Sequence, residues 1–247
     1  MISLTPDVVG KTTVTITINN KTFQVNINTL GVDVPNSLLL STKQKKQITV
    51  KGINGIKWNS SNSSVVSVSK NGTIYAKKTG NAVLIGTLGD LQLGCAVSVV
   101  TPARKRTVQK AIQIAKTCTY SQPKRMQEKF YDCSSLVWKS YHKNGVNFGM
   151  AYYAPVAADM GKWCAQHKKL VSGGLSQANI QNMKLNPGDV MFETGQKNGR
   201  YKGIYHVEMI TGYIFYGFDR NGKAELGIQW ATGDEKYYPM GQMVGRP

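Results

Sequence analysis

The amino-acid sequence predicts an all-β sandwich followed by an α+β domain, with a β-hairpin segment in front. Three observations predict it. Between residues 38 and 100, short alternating apolar runs recur at about ten-residue spacing, separated by turn dipeptides. From Thr101-Pro102 onward the apolar period lengthens to that of helices. After Asn186-Pro187-Gly188-Asp189 the alternating runs return. The expected boundaries are 1–34 for the hairpin segment, 35–101 for the sandwich and 102–247 for the α+β domain.

Each element has its own signal. Val14, Ile16 and Ile18 alternate with polar residues, Asn19-Asn20-Lys21 supplies turn chemistry, and Phe23, Val25 and Ile27 alternate again. An isolated hairpin is marginal in water, so this one is expected to pack on something. In the sandwich, the pairs Val66/Val68, Ile74/Ala76 and Val83/Ile85 lie between the turns Asn54-Gly55, Asn71-Gly72 and Gly89-Asp90. Arg104-Lys105-Arg106 reads as a solvated linker face able to touch an anion, and Val108, Ala111, Ile112 and Ala115 then follow at helical spacing. A helix is expected over Ser134–Asn144, with Asp132 as N-cap and Gly145 as its stop. Pro155 is expected to open another, with Val156, Met160, Trp163 and Cys164 as its apolar stripe. Strands are expected at Val190–Glu193, His206–Phe215 and Leu226–Trp230.

Composition narrows the function. The chain has 31 basic and 13 acidic side chains, a formal charge of +18. Residues 1–101 hold 10 and 3 of them and residues 102–247 hold 21 and 10, so the excess is no basic tail. Such a field favours polyanionic surroundings: nucleic acid, anionic lipid or an acidic cell wall. Nucleic acid is disfavoured, because no known binding motif and no regular interleaving of aromatic and basic residues is present. No run reaches the ~18 apolar residues of a membrane span. The opening MISLTPDVVGKTT lacks the basic-then-apolar layout of an export signal. Four cysteines, Cys95, Cys118, Cys133 and Cys164, show neither zinc-site spacing nor the density of a disulfide scaffold, and read as free thiols.

Trp58, Ser60, Asn62, Val66, Val68, Gly72, Lys78, Gly80 and Ala82 fall on a Trp-x-Ser-x-Asn, Val-x-Val, Gly-x-Ile, Lys-x-Gly-x-Ala pattern. This segment resembles the bacterial immunoglobulin-like domains of group 2. The resemblance implies a β-sandwich serving as a spacer, an adhesion unit or a decoration.

Among candidate chemical groups, Cys133 in YDCSSLV sits at the expected first turn of a helix. Unpaired backbone N–H groups and the positive end of the helix dipole stabilise a thiolate there, and the same groups could accept an oxyanion. A small buried thiol is the alternative. Of three histidines, His142 lies nine residues further along the same helix and faces away, and His167 stands beside two lysines. His206, at the start of a strand and after a loop, is the candidate base. A third group should accept one ring N–H of the imidazole, and it need not be charged. Gln229 on the next strand is one candidate, and Glu208, on the strand face of His206, is another.

The ordered set YDCSSLV, LNPGDVMFE, HVEMITGY and GIQWATG resembles the NlpC-type cysteine peptidases of bacterial cell walls, and YSQPKRM upstream is similar to their phage peptidoglycan-hydrolase branch. The resemblance implies a papain-like α+β catalytic domain. It makes Cys133 the nucleophile, His206 the base and Gln229 the polar third residue. It also implies that Tyr120 shapes the oxyanion and substrate pocket, that Asp132 and Ser134 contact substrate, and that Pro187, Gly188 and Asp189 form a turn without catalytic role. No metal or organic cofactor is implied. The expected substrate is an amide of the peptidoglycan stem, with the wall's anionic polymers as a further partner. The expected setting is extracellular or in a virion tail among other tail proteins, as a virion part or a released lysin. The alternative is a catalytically inactive structural or adhesion protein.

Overall fold

The computed structural model describes residues 10–29, 31–51, 54–233 and 237–247. Strands β1 (Gly10–Ile18) and β2 (Lys21–Thr29) form the expected hairpin, with Val14 opposite Val25 and Ile16 opposite Phe23. Asn19 and Asn20 take φ of 48° and 58°, and positive φ at both central residues gives the turn whose twist matches the strands. On the hairpin's apolar face Val14, Ile16 and Ile27 are half-buried. Ile18, Phe23 and Val25 remain 58%, 52% and 44% exposed. Residues 1–9, the start of the expected hairpin segment, lie outside the described residues.

Nine strands follow: β3 (Gly31–Asp33), β4 (Ser37–Ser41), β5 (Lys45–Gln47), β6 (Thr49–Lys51), β7 (Lys57–Ser60), β8 (Val66–Val68), β9 (Thr73–Ala76), β10 (Gly80–Leu88) and β11 (Leu91–Val100). One sheet runs β4-β11-β10-β7, with β4 parallel to β11, and a second runs β5-β9-β8. β3 pairs with β6. Between the two larger sheets Leu40, Ile48, Val66, Ile74, Leu84, Cys95 and Val97 are buried. Gly72 has φ +82° and its Cα lies under the Ile48 carbonyl, so the Asn71-Gly72 turn has no room for a side chain.

The second domain contains α1 (Pro102–Thr117), β12 (Thr119–Tyr120), β13 (Phe130–Tyr131), α2 (Cys133–His142), α3 (Ala157–Gln166), α4 (Gln177–Gln181), β14 (Val190–Thr194), β15 (Ile204–Phe218), β16 (Ala224–Trp230) and β17 (Met243–Gly245). Thr101 caps α1, accepting from Arg104 N, with Pro102 in the first turn where its missing N–H costs nothing. α3 starts two residues later than Pro155, after Val156 as N-cap. Three of these features escape a periodicity reading: the two-residue ladder β12–β13, the single-turn α4, and β17, which pairs with β14. Each is shorter than the window in which a period can be seen.

The sheet order is β16-β15-β14-β17, and neighbours are antiparallel. Alternation along its strands serves two cores. Phe192 and Met209 join Val108, Leu136, Val137 and Met160 of the helices. Met191, Ile210, Tyr213, Phe215, Leu226 and Ile228 join Val83 and Ala96 of the sandwich. The two domains therefore share a buried cluster. Phe215 N donates to Asn36 O (2.9 Å), and Asn81 Nδ2 donates to the carbonyls of Met183 (3.0 Å) and Leu185 (2.9 Å). The Arg104-Lys105-Arg106 triplet is not a linker. It lies in the first turns of α1, where Arg104 donates to Tyr141 Oη and Pro247 O, and Lys105 donates to Gln44 Oε1 (2.8 Å).

Candidate active site

Helix α2 fixes the cysteine. Asp132 Oδ1 accepts from Ser135 N (2.7 Å), while Ser135 Oγ accepts from Asp132 N (2.8 Å). This reciprocal pair satisfies two N–H groups at the helix start and makes Cys133 the first helical residue. Asp132 Oδ2 accepts from Arg125 Nη1 at 2.9 Å, and both side chains are nearly buried. Arg125 also donates to the carbonyls of Ala154 and Pro155, tying the approach to α3 to the same point.

The surroundings of the Cys133 sulfur act in opposite directions. Burial pushes the thiol above its ordinary value of 9.0 and dominates. The Val207 N–H draws it down, the Asp132 charge pushes it up, and the Ser134 N–H and the Tyr120 hydroxyl draw it down. Burial pushes the Tyr120 hydroxyl up, and the Cys133 backbone N–H draws it down. Its ring is half exposed and meets Tyr131 edge-on at 5.5 Å. Because Val207 immediately follows His206, the strand that delivers the imidazole reaches the sulfur. The structure thus brings Tyr120, Cys133 and the His206–Val207 step of β15 together.

His206 sits opposite Glu193 on β14, beside a register shift in the ladder. Its Nε2 lies 3.3 Å from Tyr238 Oη, and the two rings lie nearly parallel, with centroids 6.0 Å apart. Tyr238 is buried against Trp230 and also feels the Cys133 charge. Sequence reasoning missed this tyrosine. It follows β16 in a loop, and only its place in a Tyr237-Tyr238-Pro239 string marks it.

Gln229 is elsewhere. It pairs with Gly212, six residues along β15 from His206, or about 20 Å at ~3.3 Å per residue. Its Oε1 accepts from Ser37 Oγ of the sandwich at 2.6 Å, so it serves the domain interface. β15 runs 15 residues, and its two ends serve different neighbours. Glu208 is 2% exposed, with Oε1 accepting from Met209 N (2.9 Å) and Oε2 from Thr232 Oγ1 (2.6 Å). Asp132 and Ser134, expected to contact substrate, are 4% and 2% exposed, and the Ser134 hydroxyl donates to Asp132 (3.3 Å). Their place in the structure is the cap of α2.

Other candidates occupy distinct places. His142 stacks on Trp138 at 4.1 Å, and His167 on Trp163 at 4.3 Å. All four cysteines are free thiols, and burial pushes both Cys95 and Cys164 up to about 12. Asp189 is fully buried and accepts from Arg246 Nε (2.9 Å), Arg246 Nη2 (2.8 Å) and Asn186 N (2.8 Å). Among the described residues no group of three His, Cys, Asp or Glu could hold a metal ion, and no helix is long and apolar enough to cross a membrane.

The first domain is of the immunoglobulin-like class, by its two packed sheets and the Trp58 ring lying over Gly86. Its family follows: residues 34–99 match the bacterial Ig-like domain of group 2. Among solved structures the chain is similar to domains 4 and 5 of the S-layer protein SbsC, with 18% identity, 40% of this chain and 62% of that one covered, and a TM-score of 0.24. An intimin–Tir90 complex gives 18%, 38%, 60% and 0.24 for the same quantities. An intimin mutant of EHEC O157:H7 gives 12%, 57%, 79% and 0.23. The chain spans less than two thirds of the first two. No curated protein matches the chain.

Proposed function

We propose that the second domain is a cysteine hydrolase that cleaves an amide bond in the stem peptide of bacterial peptidoglycan. One observation carries this reading: at the start of a firmly capped helix, burial pushes the Cys133 thiol up while the N–H of the residue after His206 and the Tyr120 hydroxyl draw it down. The resemblance of YDCSSLV, LNPGDVMFE and HVEMITGY to NlpC-type, papain-like cell-wall peptidases supports it and supplies the substrate class. The +18 charge supports a wall rich in anionic polymers as the working surface, either outside the cell or at a phage tail.

Because burial holds the Cys133 thiol above its ordinary range, the proton is removed during attack. In the tautomer whose Nε2–H donates to Tyr238 Oη, the Nδ1 lone pair of His206 takes the Cys133 proton. The sulfur attacks the amide carbonyl, and the N–H groups at the start of α2, with the Tyr120 hydroxyl, stabilise the oxyanion. His206 returns the proton to the departing amine, and water then hydrolyses the thioester. Tyr238 takes the part of the third residue in this reading, and Glu208, two residues along β15 from His206, is the alternative.

A second reading has its own observation. A group 2 Ig-like domain fused through a shared core fits a structural or adhesion protein whose second domain is catalytically silent. Purified cell walls separate the two. The parent protein should clear a wall suspension and release new amines, while Cys133→Ala should do neither and retain its circular-dichroism spectrum. Equal clearing by both proteins, or by neither, rejects the hydrolase. Mass spectrometry of the fragments assigns the bond as muramoyl–alanine or stem-peptide.

A further inference from the structure

A basic groove lies between α1 and α2. One cavity of about 710 Å³ is lined by Lys110, Lys129, Lys139 and Lys143, with Glu128 as its single carboxylate. It shares Lys110, Lys139 and Lys143 with an adjoining cavity of about 450 Å³, which Arg106 also lines. Among the described residues none of these five cations is ion-paired with a carboxylate. Arg106 and Lys110 are one turn apart on α1, as are Lys139 on α2 and Lys143 at its C-cap, so each row has a step of about 6 Å. Lys139 is fixed in place, donating to the carbonyls of Gln127 (2.8 Å) and Phe130 (2.6 Å).

We propose that this groove binds a linear, phosphate-bearing polyanion that carries no bases. Five unneutralised cations crowded around one trough repel each other, and a bound chain of anions relieves this. Two facing rows suit a chain running along the groove better than a single anion at one point. A base-bearing strand is disfavoured by the lining. Binding of single strands draws on open aromatic faces, but Trp138 is 7% exposed and its ring is already stacked on His142. This proposal does not require Cys133 to be a nucleophile.

The test uses the full chain carrying Cys133→Ala and short linear inorganic polyphosphate as probe, with titration calorimetry at two salt concentrations. The triple variant Lys110→Gln/Lys129→Gln/Lys143→Gln is compared with Lys45→Gln/Lys46→Gln/Lys57→Gln, which removes equal charge from exposed sites on the sandwich. The groove triple should lose about tenfold or more in affinity and show a shallower salt dependence, and the sandwich triple should lose less than about threefold. Equal losses would assign binding to bulk charge and overturn the proposal. Tighter binding of oligothymidylate than of polyphosphate would overturn it in favour of nucleic acid. Competition by monomeric phosphate at equal phosphate concentration would overturn the chain-like ligand.

Discussion

Replacing Asp132 by alanine removes the cap of α2 and leaves the Arg125 guanidinium buried without its anion. The side chains of the pair are only 11% and 6% exposed, so water cannot take over the lost contact. Breaking such a pair by deleting one partner costs about 3–5 kcal/mol, chiefly through the charge left behind. The lost cap alone is worth ~1 kcal/mol, and the two effects overlap because they share one carboxylate. For a protein of this size a loss of 3–5 kcal/mol lowers Tm by roughly 6–20 °C. Urea denaturation followed by tryptophan fluorescence measures it. The double variant Arg125→Met/Asp132→Ala should be more stable than Asp132→Ala, because the stranded charge is gone. Asp132→Asn should keep most of the cap while losing the ion pair. A loss below about 1 kcal/mol for Asp132→Ala, or a double variant less stable than the single, would refute the account of Asp132 as a buried structural anchor.

Four further outcomes follow from the geometry. Alkylation of Cys133 by iodoacetamide should rise about tenfold per pH unit from 7 upward and still be rising at pH 9, because the thiol pKa lies above 9.0 and the thiolate forms only as pH climbs through it. A plateau below pH 8 would show a preformed thiolate instead. Tyr238→Phe removes the oxygen 3.3 Å from His206 Nε2, and should cut kcat for wall cleavage about tenfold or more with KM little changed. An unchanged kcat would exclude Tyr238 as the orienting group. Gln229→Ala should leave activity within about twofold and cost ~0.5–1.5 kcal/mol of stability through the lost Ser37 hydrogen bond, while Gly94→Ala, whose new methyl meets the Phe215 ring, should cost about 1–3 kcal/mol. Severe inactivation by Gln229→Ala would restore it to the site.

The local parts of this fold are legible in the sequence for physical reasons. Asn19-Asn20 encodes its turn because both residues tolerate positive φ, and Asp132 marks the start of α2 because a carboxylate there satisfies N–H groups that nothing else can. Non-local placement is not encoded that way. Gln229 and Tyr238 are both polar residues downstream of His206, and nothing nearby in sequence tells which of them meets it. The choice is made by the pairing register of β15 with β16, which places Gln229 opposite Gly212, and by the loop that returns Tyr238 to the start of the strand. The shared core is equally silent in sequence. Val83 and Ala96 read as ordinary sandwich residues, and Phe215 as an ordinary strand residue, until the two faces meet.

What separates Cys133 from the other thiols is therefore not burial alone. Cys95 and Cys164 are buried while Cys133 is only partly so, and desolvation is the main influence keeping both neutral at any physiological pH. Desolvation is also the largest influence on Cys133, and the Asp132 charge adds to it, yet there the Val207 N–H of β15, the Ser134 N–H of α2 and the Tyr120 hydroxyl of β12 draw the thiol down. Such donors favour negative charge where a thiolate or a neighbouring oxyanion would form. A structural cysteine at the same helix position needs only the capping box below it. In the proposed hydrolase these donors would serve acyl transfer, with Asp132 and Arg125 anchoring the start of α2 behind them.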